Sequence, residues 1–253
     1  MKRKFGLIGY PLSHSFSRKF FTEKFSAEGI NAEYLNFEIE NISQLLHVIN
    51  SHPNLEGINV TIPYKEDVIK FLDKIDDEVA QIHAVNTVLI RRTGHHISLH
   101  GYNTDIHGFQ ESLKPLLKIY HHKALVLGTG GASKAVVKAL SNLKIDSILV
   151  SRNPEEKGEL SYNDLDEDVM ANYKIIVNTT PIGTYPNIDA CPAIPFELIT
   201  SSHLMFDLIY NPEVTEFLRQ GLQHGATIKN GMEMLHLQAL ASWEIWNHAN
   251  SEE

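Results

Sequence analysis

The chain has 253 residues, of which 43% are hydrophobic and 21% charged, and its formal net charge is −9. These values are typical of a soluble globular protein that is long enough for one or two domains. The negative charge argues against a nucleic-acid partner, because phosphate backbones require a basic field. The single cysteine, Cys191, excludes an internal disulfide and a thiolate metal cage.

The N-terminal segment has only a short apolar run, Phe5–Gly9, which is too short for the hydrophobic region of a signal peptide. No apolar run along the chain approaches the length of a membrane span. We therefore expect a cytoplasmic protein without a membrane partner.

The first hundred residues are predicted to alternate strands and helices, which indicates an α/β domain with parallel strands and right-handed crossovers. The predicted strands are Phe5–Gly9, Glu33–Ile39, Leu55–Ile62, Val85–Arg91 and His96–His100, of which the last two form an antiparallel pair turning at Thr93-Gly94. The predicted helices are Phe16–Glu28, Ile42–Asn50 with Asn41 and Gln44 as a capping box, one starting near Pro63, Asp77–Ile82, and Ile106–Leu117 capped by Asp105.

Polar side chains follow the ends of these strands: Ser13, Ser15, Asn59, Thr61, Asn103, Thr104 and Asp105. Because ligands bind outside the carboxyl ends of parallel strands, we expect these residues to line one crevice. Their hydroxyls and amides suit a small ligand with several hydroxyl groups. For any single residue the alternative is an ordinary turn or cap, since Asn, Ser and Thr are common at such positions.

The segment Lys123–Leu140 is typical of a buried strand, a glycine turn and a helix. Its spacing Gly128-x-Gly130-x-x-Ser133 is close to the dinucleotide-binding fingerprint. Such a turn directs backbone N–H groups and the positive end of the helix dipole at a phosphate. A plain tight turn is the alternative, but the strand and helix on either side favour a nucleotide.

The residue at the tip of the next strand, Ser147–Val150, indicates which nucleotide is bound. Ser151-Arg152-Asn153 follows this strand and contains no carboxylate to accept from a ribose 2′-hydroxyl. An arginine suits a 2′-phosphate, so the residues favour NADP over NAD. The alternative is that Arg152 is a solvated loop residue.

The chain contains 14 histidines, which raises the possibility of a metal site. His95-His96 lies in a predicted hairpin turn and His121-His122 in a predicted loop, and neither pair has ligand spacing or carboxylate companions. We expect surface histidines and no metal.

The remaining segments complete a second α/β unit. Strands are predicted at Lys174–Val177, Met205–Ile209 and Thr227–Lys229, with a proline-marked loop at Asp189–Pro195 and a final helix at Met232–His248.

Eight segments in chain order resemble the motifs of the shikimate dehydrogenase family. In the first part of the chain they are Gly9–Ser15 (GYPLSHS), Asn59–Lys65 (NVTIPYK), Ala84–Thr87 (AVNT) and Gly101–Asp105 (GYNTD). In the second part they are Gly128–Ser133, Asn178–Pro181, Asp207–Pro212 and Gly231–Gln238. The likeness covers nearly the whole chain and is far more specific than one glycine turn.

The resemblance implies two domains: a mixed α/β substrate-binding domain over 1–105 and 232–253, and a Rossmann-like NADP-binding domain over 106–231. The C-terminal helix would then return to the first domain, and closure about hinges at Ile106–Leu117 and the start of the last helix would exclude water. The implied activity is NADPH-dependent, reversible reduction of 3-dehydroshikimate to shikimate, a step toward chorismate and the aromatic amino acids.

Carried over position by position, the resemblance implies Lys65 and Asp105 as the catalytic pair. The implied substrate-binding residues are Ser13, Ser15, Asn59, Thr61, Lys65, Asn86, Asp105, Tyr210 and Gln238. The implied cofactor-binding residues are Asp77, Gly128, Thr129, Gly130, Gly131, Ala132, Ser151, Arg152, Thr179, Leu208 and Gly231.

The chemistry of Lys65 and Asp105 agrees with these roles, because the nicotinamide carries the hydride and the protein need only move one proton at the alcohol oxygen. Desolvation favours the neutral form of a lysine, whereas a nearby aspartate favours the charged form. Lys65 is the better candidate for proton transfer. Without the motifs, a surface lysine and a helix-capping aspartate would be the simpler interpretation.

The chain departs from the family pattern where Phe16 follows Ser15, at Ser151-Arg152-Asn153 and at Thr184. Two alternatives stay open: an NAD-using quinate/shikimate dehydrogenase, which Arg152 disfavours, and a catalytically silent relative that binds NADP or shikimate, which Lys65 and Asp105 disfavour. The chain is expected to be a monomer or a homodimer.

Overall fold

The computed structural model describes residues 2–12, 16–154 and 158–248. In chain order the strands are β1 (Arg3–Gly9), β2 (Ala32–Glu38), β3 (Leu55–Val60), β4 (Lys74–Ile75), β5 (Thr87–Thr93), β6 (His96–Tyr102), β7 (Lys123–Leu127), β8 (Asp146–Ser151), β9 (Leu160–Ser161), β10 (Ile175–Asn178), β11 (Leu204–Asp207) and β12 (Thr227–Lys229). The helices are α1 (Phe16–Ala27), α2 (Leu45–Ser51), α3 (Asp77–Ile82), α4 (Thr104–Leu113), α5 (Gly131–Asn142), α6 (Glu167–Asn172), α7 (Glu216–Gln223) and α8 (Met232–His248).

The chain divides into two compact units. The first unit comprises the described residues of Met1–Thr104 together with Ala239–Glu253, and the second unit comprises Asp105–Gln238. The prediction that the C-terminal helix returns to the first part of the chain is confirmed, because α8 belongs to the first unit from Ala239 onward. None of the described helices is long and apolar enough to cross a membrane.

The first unit contains a six-stranded mixed sheet in the order β2-β1-β3-β5-β6-β4. Strands β2, β1 and β3 are parallel, whereas β5 is antiparallel to β3 and β6. Apolar side chains cover both faces. On one face, Trp246 of α8 stacks on Phe5 at a centroid distance of 4.9 Å and donates Nε1–H to the Val88 carbonyl at 3.1 Å. The last two turns of α8 are therefore part of this core.

The second unit contains a six-stranded sheet in the order β12-β11-β10-β7-β8-β9, and all five neighbouring pairs are parallel. Numbered from β7, this is the order 3-2-1-4-5-6 of the dinucleotide-binding fold. The order reverses between β7 and β10. The fold class predicted from the sequence, two α/β domains of which the second is Rossmann-like, is confirmed.

Two predicted helices differ from the observed ones. The helix expected near Pro63 is a pair of turns followed by a 3₁₀ helix at Asp67–Phe71. The carbonyl of Lys65 accepts from the N–H of Val85 at 2.7 Å, so it is taken out of the helical ladder. Helix α4 begins at Thr104, which places Asp105 in its first turn instead of at its cap.

The capping box predicted at Asn41 and Gln44 is confirmed, although it opens a 3₁₀ turn, Ile42–Gln44, that leads into α2. Two short strands, β4 and β9, have no counterpart in the prediction. Each has two residues, which is too short for a period-two pattern to be detected.

Candidate active site

The glycine turn joins β7 to α5 in the second unit. Gly128 has a φ of +103°, and a Cβ there would lie 2.9 Å from Cγ2 of Thr180, so glycine is required at this position. Among the described residues, no atom outside the turn lies within 4 Å of a Cβ built on Gly130 or Gly131. Gly130 provides no side-chain cap to α5. The turn therefore leaves the first N–H groups of α5 accessible to an anion such as a phosphate.

Of the predicted cofactor contacts, Thr179 lies beside this turn, whereas Leu208 and Gly231 pack against each other at the end of β11. The hydroxyl of Thr179 donates to the carbonyl of Leu127 at 2.7 Å, and its Oγ1 lies 3.1 Å from a Cβ built on Gly128. A Cβ on Gly231 would lie only 2.0 Å from the carbonyl oxygen of Leu208. Only glycine permits this approach, so the residue before α8 is fixed against the end of β11.

A buried polar cluster supports the ends of β10 and β11. Asp207 is fully buried and accepts from Nδ2 of Asn178 at 3.1 Å, the N–H of Ile209 at 3.0 Å and the hydroxyl of Thr215 at 2.6 Å. The side-chain oxygen of Asn178, Oδ1, accepts from the N–H and the hydroxyl of Thr180 at 3.0 and 2.7 Å. Burial raises the pKa of Asp207 to about 6, while the three donors act in the opposite direction.

Sequence reasoning assigned no role to Asp207. Its motif was recognised, but an aspartate at a strand end gives no sign that its carboxylate is buried. The available signal was the neighbouring Asn178 at the end of the adjacent strand, since carboxyl ends of parallel strands meet at one edge.

Arg152 lies at the end of β8, where a nucleotide ribose is expected. Its side chain is exposed, and Ser151 forms a tight turn with Asn153 in which the N–H of Asn153 donates to Oγ of Ser151 at 3.2 Å. Burial raises the pKa of the Tyr162 phenol, and the guanidinium of Arg152 acts in the opposite direction. An exposed guanidinium at this strand end is available to a 2′-phosphate.

An open depression of about 660 Å³ lies in the second unit, and Tyr210, Met232 and Leu237 are among its lining residues. Gln238 follows Leu237 on α8, is buried and donates Nε2–H to the carbonyl of Leu235 at 2.9 Å. Of the predicted substrate contacts, Tyr210 therefore faces a space that a ligand can enter.

A second buried polar network lies at the ends of β3 and β5 in the first unit. Its members are Tyr34, Asn59, Asn86, Thr87, Thr104 and Ser242, and each is at most 6% exposed. The side-chain oxygen of Asn86, Oδ1, accepts from the N–H of Thr104 at 2.7 Å and from the hydroxyl of Thr87 at 3.0 Å. Asn59 accepts from the hydroxyl of Tyr34 at 2.8 Å and donates to Oγ of Ser242 at 2.9 Å.

This network contains two predicted substrate contacts, Asn59 and Asn86. Both polar atoms of the Asn59 amide bond to protein groups, so its role as a ligand contact stays a prediction. Thr87 and Ser242 were missed. Ser242 comes from α8, 155 residues after Thr87, and no local pattern indicates that pairing.

Lys65 and Thr61 follow β3. The N–H of Thr61 donates to the carbonyl of Ile8 at 2.9 Å, and the half-buried Lys65 is anchored through its carbonyl to Val85 at 2.7 Å. Ser13 and Ser15, the other predicted contacts of this strand edge, lie outside the described residues.

Asp105 and Asp77 each lie in the first turn of a helix. Asp77 is exposed at the start of α3, which is capped by Asp76. Asp105 is half-buried and is the first residue of the second unit, whereas Lys65 belongs to the first unit. The pairing of Lys65 with Asp105 stays a prediction, and so does the contact of Asp77 with a cofactor.

One histidine expected at the surface is buried. His121 is 6% exposed, its Nδ1 accepts from the N–H of Lys118 at 3.0 Å, and its Nε2 lies 3.2 Å from the carbonyl of Ser202. Burial lowers its pKa, which favours the neutral ring. Within residues 2–12, 16–154 and 158–248, no group of three or more His, Cys, Asp or Glu side chains is arranged to hold a metal ion.

Comparison with known proteins agrees with this geometry. Residues 7–88 match the family model of the shikimate dehydrogenase substrate binding domain. The chain is 39% identical to the shikimate dehydrogenase (NADP(+)) of Clostridium beijerinckii over 96% of this chain and 91% of that protein. It is 38% identical to the enzyme of the same name from Methanococcus vannielii, over 95% and 90%. The chain belongs to the shikimate dehydrogenase family.

The similarity extends to the three-dimensional structure. The shikimate 5-dehydrogenase of Thermus thermophilus, solved in complex with NADP(H) and shikimate, is 30% identical and has a TM-score of 0.84, with 97% of this chain and 94% of that chain covered. The match covers the mixed sheet of the first unit and also the parallel sheet of the second unit.

Proposed function

We propose that this chain is an NADP-dependent shikimate dehydrogenase that interconverts 3-dehydroshikimate and shikimate reversibly. The observation that carries the proposal is the likeness to enzymes of that name over at least 90% of both chains. The activity belongs to the shikimate pathway, which leads to chorismate and the aromatic amino acids.

The second unit is the NADP-binding domain in this proposal, and the residues present fit the cofactor. Gly130 and Gly131 leave room above the N-terminus of α5 for the pyrophosphate, and Gly128 provides the turn before them. Arg152 is exposed where a 2′-phosphate would lie. Thr129, Ala132 and Ser151 would complete this side of the site. Bound NADP supplies the hydride transfer, and the protein supplies orientation and the proton.

Around the nicotinamide end, Thr179, Leu208 and Gly231 would hold the ring. Their support is the tight packing of Gly231 against Leu208 and the buried Asp207 cluster beneath both strands. Asp77 would also contact the cofactor.

The first unit is the substrate-binding domain in this proposal. Ser13, Ser15, Asn59, Thr61 and Asn86 would bind the hydroxyl and carboxylate groups of shikimate. Tyr210 and Gln238 would also bind the substrate.

Lys65 and Asp105 would act on the reacting oxygen. The ammonium of Lys65 would give a proton to that oxygen when the ketone is reduced, and the neutral amine would take one when the alcohol is oxidised. Asp105, whose charge the N-terminus of α4 stabilises, would orient the Lys65 side chain. Lys65 suits this task because its backbone is fixed by Val85 while its side chain is only half-buried.

An absorbance assay with four reactant pairs tests the proposal. Purified protein is mixed with shikimate or quinate and with NADP or NAD, and the absorbance of the reduced nicotinamide is followed. We expect turnover with shikimate and NADP. Preference for NAD or quinate would support the quinate/shikimate alternative, whereas binding of shikimate without turnover with either cofactor would contradict the enzymatic proposal.

A further inference from the structure

The orientation of the Asn86 amide is determined by groups that can only donate or only accept. The backbone N–H of Thr104 lies 2.7 Å from the oxygen assigned as Oδ1 of Asn86, and a backbone N–H can only donate. If the amide were flipped, two donors would face each other at this distance. The carbonyl end of Asn86 therefore points inward, and the assignment does not depend on the placement of hydrogens.

The hydroxyl of Thr87 strengthens this orientation. Its Oγ1 lies 3.0 Å from Oδ1 of Asn86, which can only accept, so a hydrogen bond between these two atoms uses the Thr87 proton. In return, Oγ1 of Thr87 accepts from Nδ2 of Asn59 at 3.1 Å and lies 2.8 Å from Oγ of Ser242. Asn59 is itself oriented, because its Nδ2 also faces the carbonyl of Asn86 at 3.2 Å.

The backbone of Asn86 is held as firmly as its side chain. Its N–H donates to the carbonyl of Tyr102 at 3.1 Å, and its carbonyl accepts from the N–H of Val60 at 2.8 Å. Because backbone and Oδ1 are both engaged, the group that Asn86 can present to a ligand is Nδ2, which is a donor.

We propose that Thr87 is a positioning residue that keeps the carbonyl end of Asn86 turned inward, so that Asn86 selects a ligand by an oxygen acceptor. Given the proposed function, on which this inference rests, that acceptor is a hydroxyl or carboxylate oxygen of shikimate. Ser242 and Asn59 maintain the Thr87 hydroxyl in this arrangement. Ser242 on α8 therefore helps to position Asn86 for binding the ligand.

A matched pair at Thr87 separates the hydroxyl from the volume of the side chain. Thr87→Val keeps the shape and removes the hydroxyl, whereas Thr87→Ser keeps the hydroxyl and removes a methyl group. We expect Thr87→Val to raise the KM for shikimate about tenfold and to lower kcat by less than that factor, with the KM for NADP unchanged within about twofold, because the Asn86 donor to the substrate is less firmly oriented. Thr87→Ser should stay within about twofold of the wild type on all three parameters.

Asn86→Asp tests the direction of the amide. The inward oxygen is preserved and still accepts from Thr104, but the outward donor becomes an oxygen. We expect the KM for shikimate to rise by more than about tenfold. An unchanged KM for shikimate in Asn86→Asp would overturn the proposal, as would a Thr87→Ser variant as impaired as Thr87→Val. Ser112→Ala is the control, since its buried hydroxyl bonds to the carbonyl of Phe109 and lies in the second unit.

Hydrogen exchange of the Thr104 amide, measured by NMR without ligand, keeps this test separate from the proposed function. We expect exchange to be about tenfold faster in Thr87→Val than in the wild type and unchanged in Thr87→Ser, because in Thr87→Val the Asn86 oxygen keeps only the Thr104 donors and its bond to the Thr104 N–H opens more often. Equal exchange in all three proteins would refute the positioning role. Failure of the wild type to turn over shikimate would instead refute the proposed function. If Thr87→Val does not fold, Asn86→Asp decides the outcome.

Discussion

The free energy of unfolding should carry a pH dependence that is specific to Asp207. Burial raises the pKa of this carboxyl from 3.8 to about 6, so folding takes up a proton between these two pH values. Each pKa unit corresponds to about 1.4 kcal/mol. The stabilising contribution is fully present below the unfolded value of 3.8 and is lost as the pH rises through about 6. Over this window Asp207 should therefore lower the free energy of unfolding by about 3 kcal/mol.

Urea unfolding of the wild type and Asp207→Asn, from about pH 3.5 to about pH 7.5, isolates this contribution because all other titrating groups are shared. The free energy of unfolding of the wild type minus that of the variant should fall by about 3 kcal/mol as the pH rises. NMR titration of the Asp207 carboxyl provides the corresponding pKa directly. Parallel curves for the two proteins, together with a measured pKa near 3.8, would refute the reasoning.

Thr215 provides a matched control for the same measurement. Its hydroxyl donates to Asp207 at 2.6 Å, which favours the ionised form. Thr215→Val removes this donor and should move the pKa of Asp207 further upward, whereas Thr215→Ser should leave it in place. Loss of the α7 cap in Thr215→Val lowers the stability at every pH and does not mimic the shift.

Four further substitutions test the proposed roles. Lys65→Ala should lower kcat by at least about a hundredfold with a much smaller change in the KM for shikimate, because proton transfer is lost; steady-state kinetics with an unchanged kcat would remove Lys65 from the mechanism. Arg152→Ala should raise the KM for NADP at least about tenfold while leaving that for NAD unchanged, since only NADP has the 2′-phosphate. Gly130→Ala should retain the thermal stability, because its Cβ faces open space, but should weaken NADP binding measured by calorimetry, because that space is where the pyrophosphate is proposed to lie. Gly231→Ala should lower the melting temperature, because its Cβ would lie 2.0 Å from the carbonyl of Leu208.

The sequence predicts the elements whose signals are local. The glycine turn at Gly128, the capping box at Asn41 and the final helix each have a pattern within a few residues. The helix expected at Pro63 was wrong for a non-local reason. Its ladder is interrupted by the bond between the Lys65 carbonyl and Val85, 20 residues further along, which periodicity cannot detect.

The residues of the candidate site also divide into those with a local sequence signal and those without one. Motifs identified Asn86, Leu208 and Gly231 because these residues occur in recognisable segments. The side chains that hold them were missed, since Ser242 reaches Thr87 across 155 residues and Asp207 gains its raised pKa only through burial. Burial and long-range pairing are properties of the packed chain. A single sequence therefore predicts residues that contact a ligand but not the buried residues that hold them in place.

The polar network of the first unit bears on the proposed catalytic Asp105 as well as on the substrate. The N–H of Thr104 is bonded to Asn86 at 2.7 Å. Thr104 ends the N-terminal segment of the first unit, and Asp105 is the next residue in the chain. The backbone that leads into Asp105 is therefore held by the side chain proposed to bind shikimate. A change at Asn86 that breaks this bond should disturb both functions together, so Asn86→Ala should lower kcat as well as raise the KM for shikimate. Asn86→Asp, which keeps the oxygen bonded to Thr104, should affect the KM far more than kcat; equal losses of kcat in the two variants would show that Asn86 does not position the chain before Asp105.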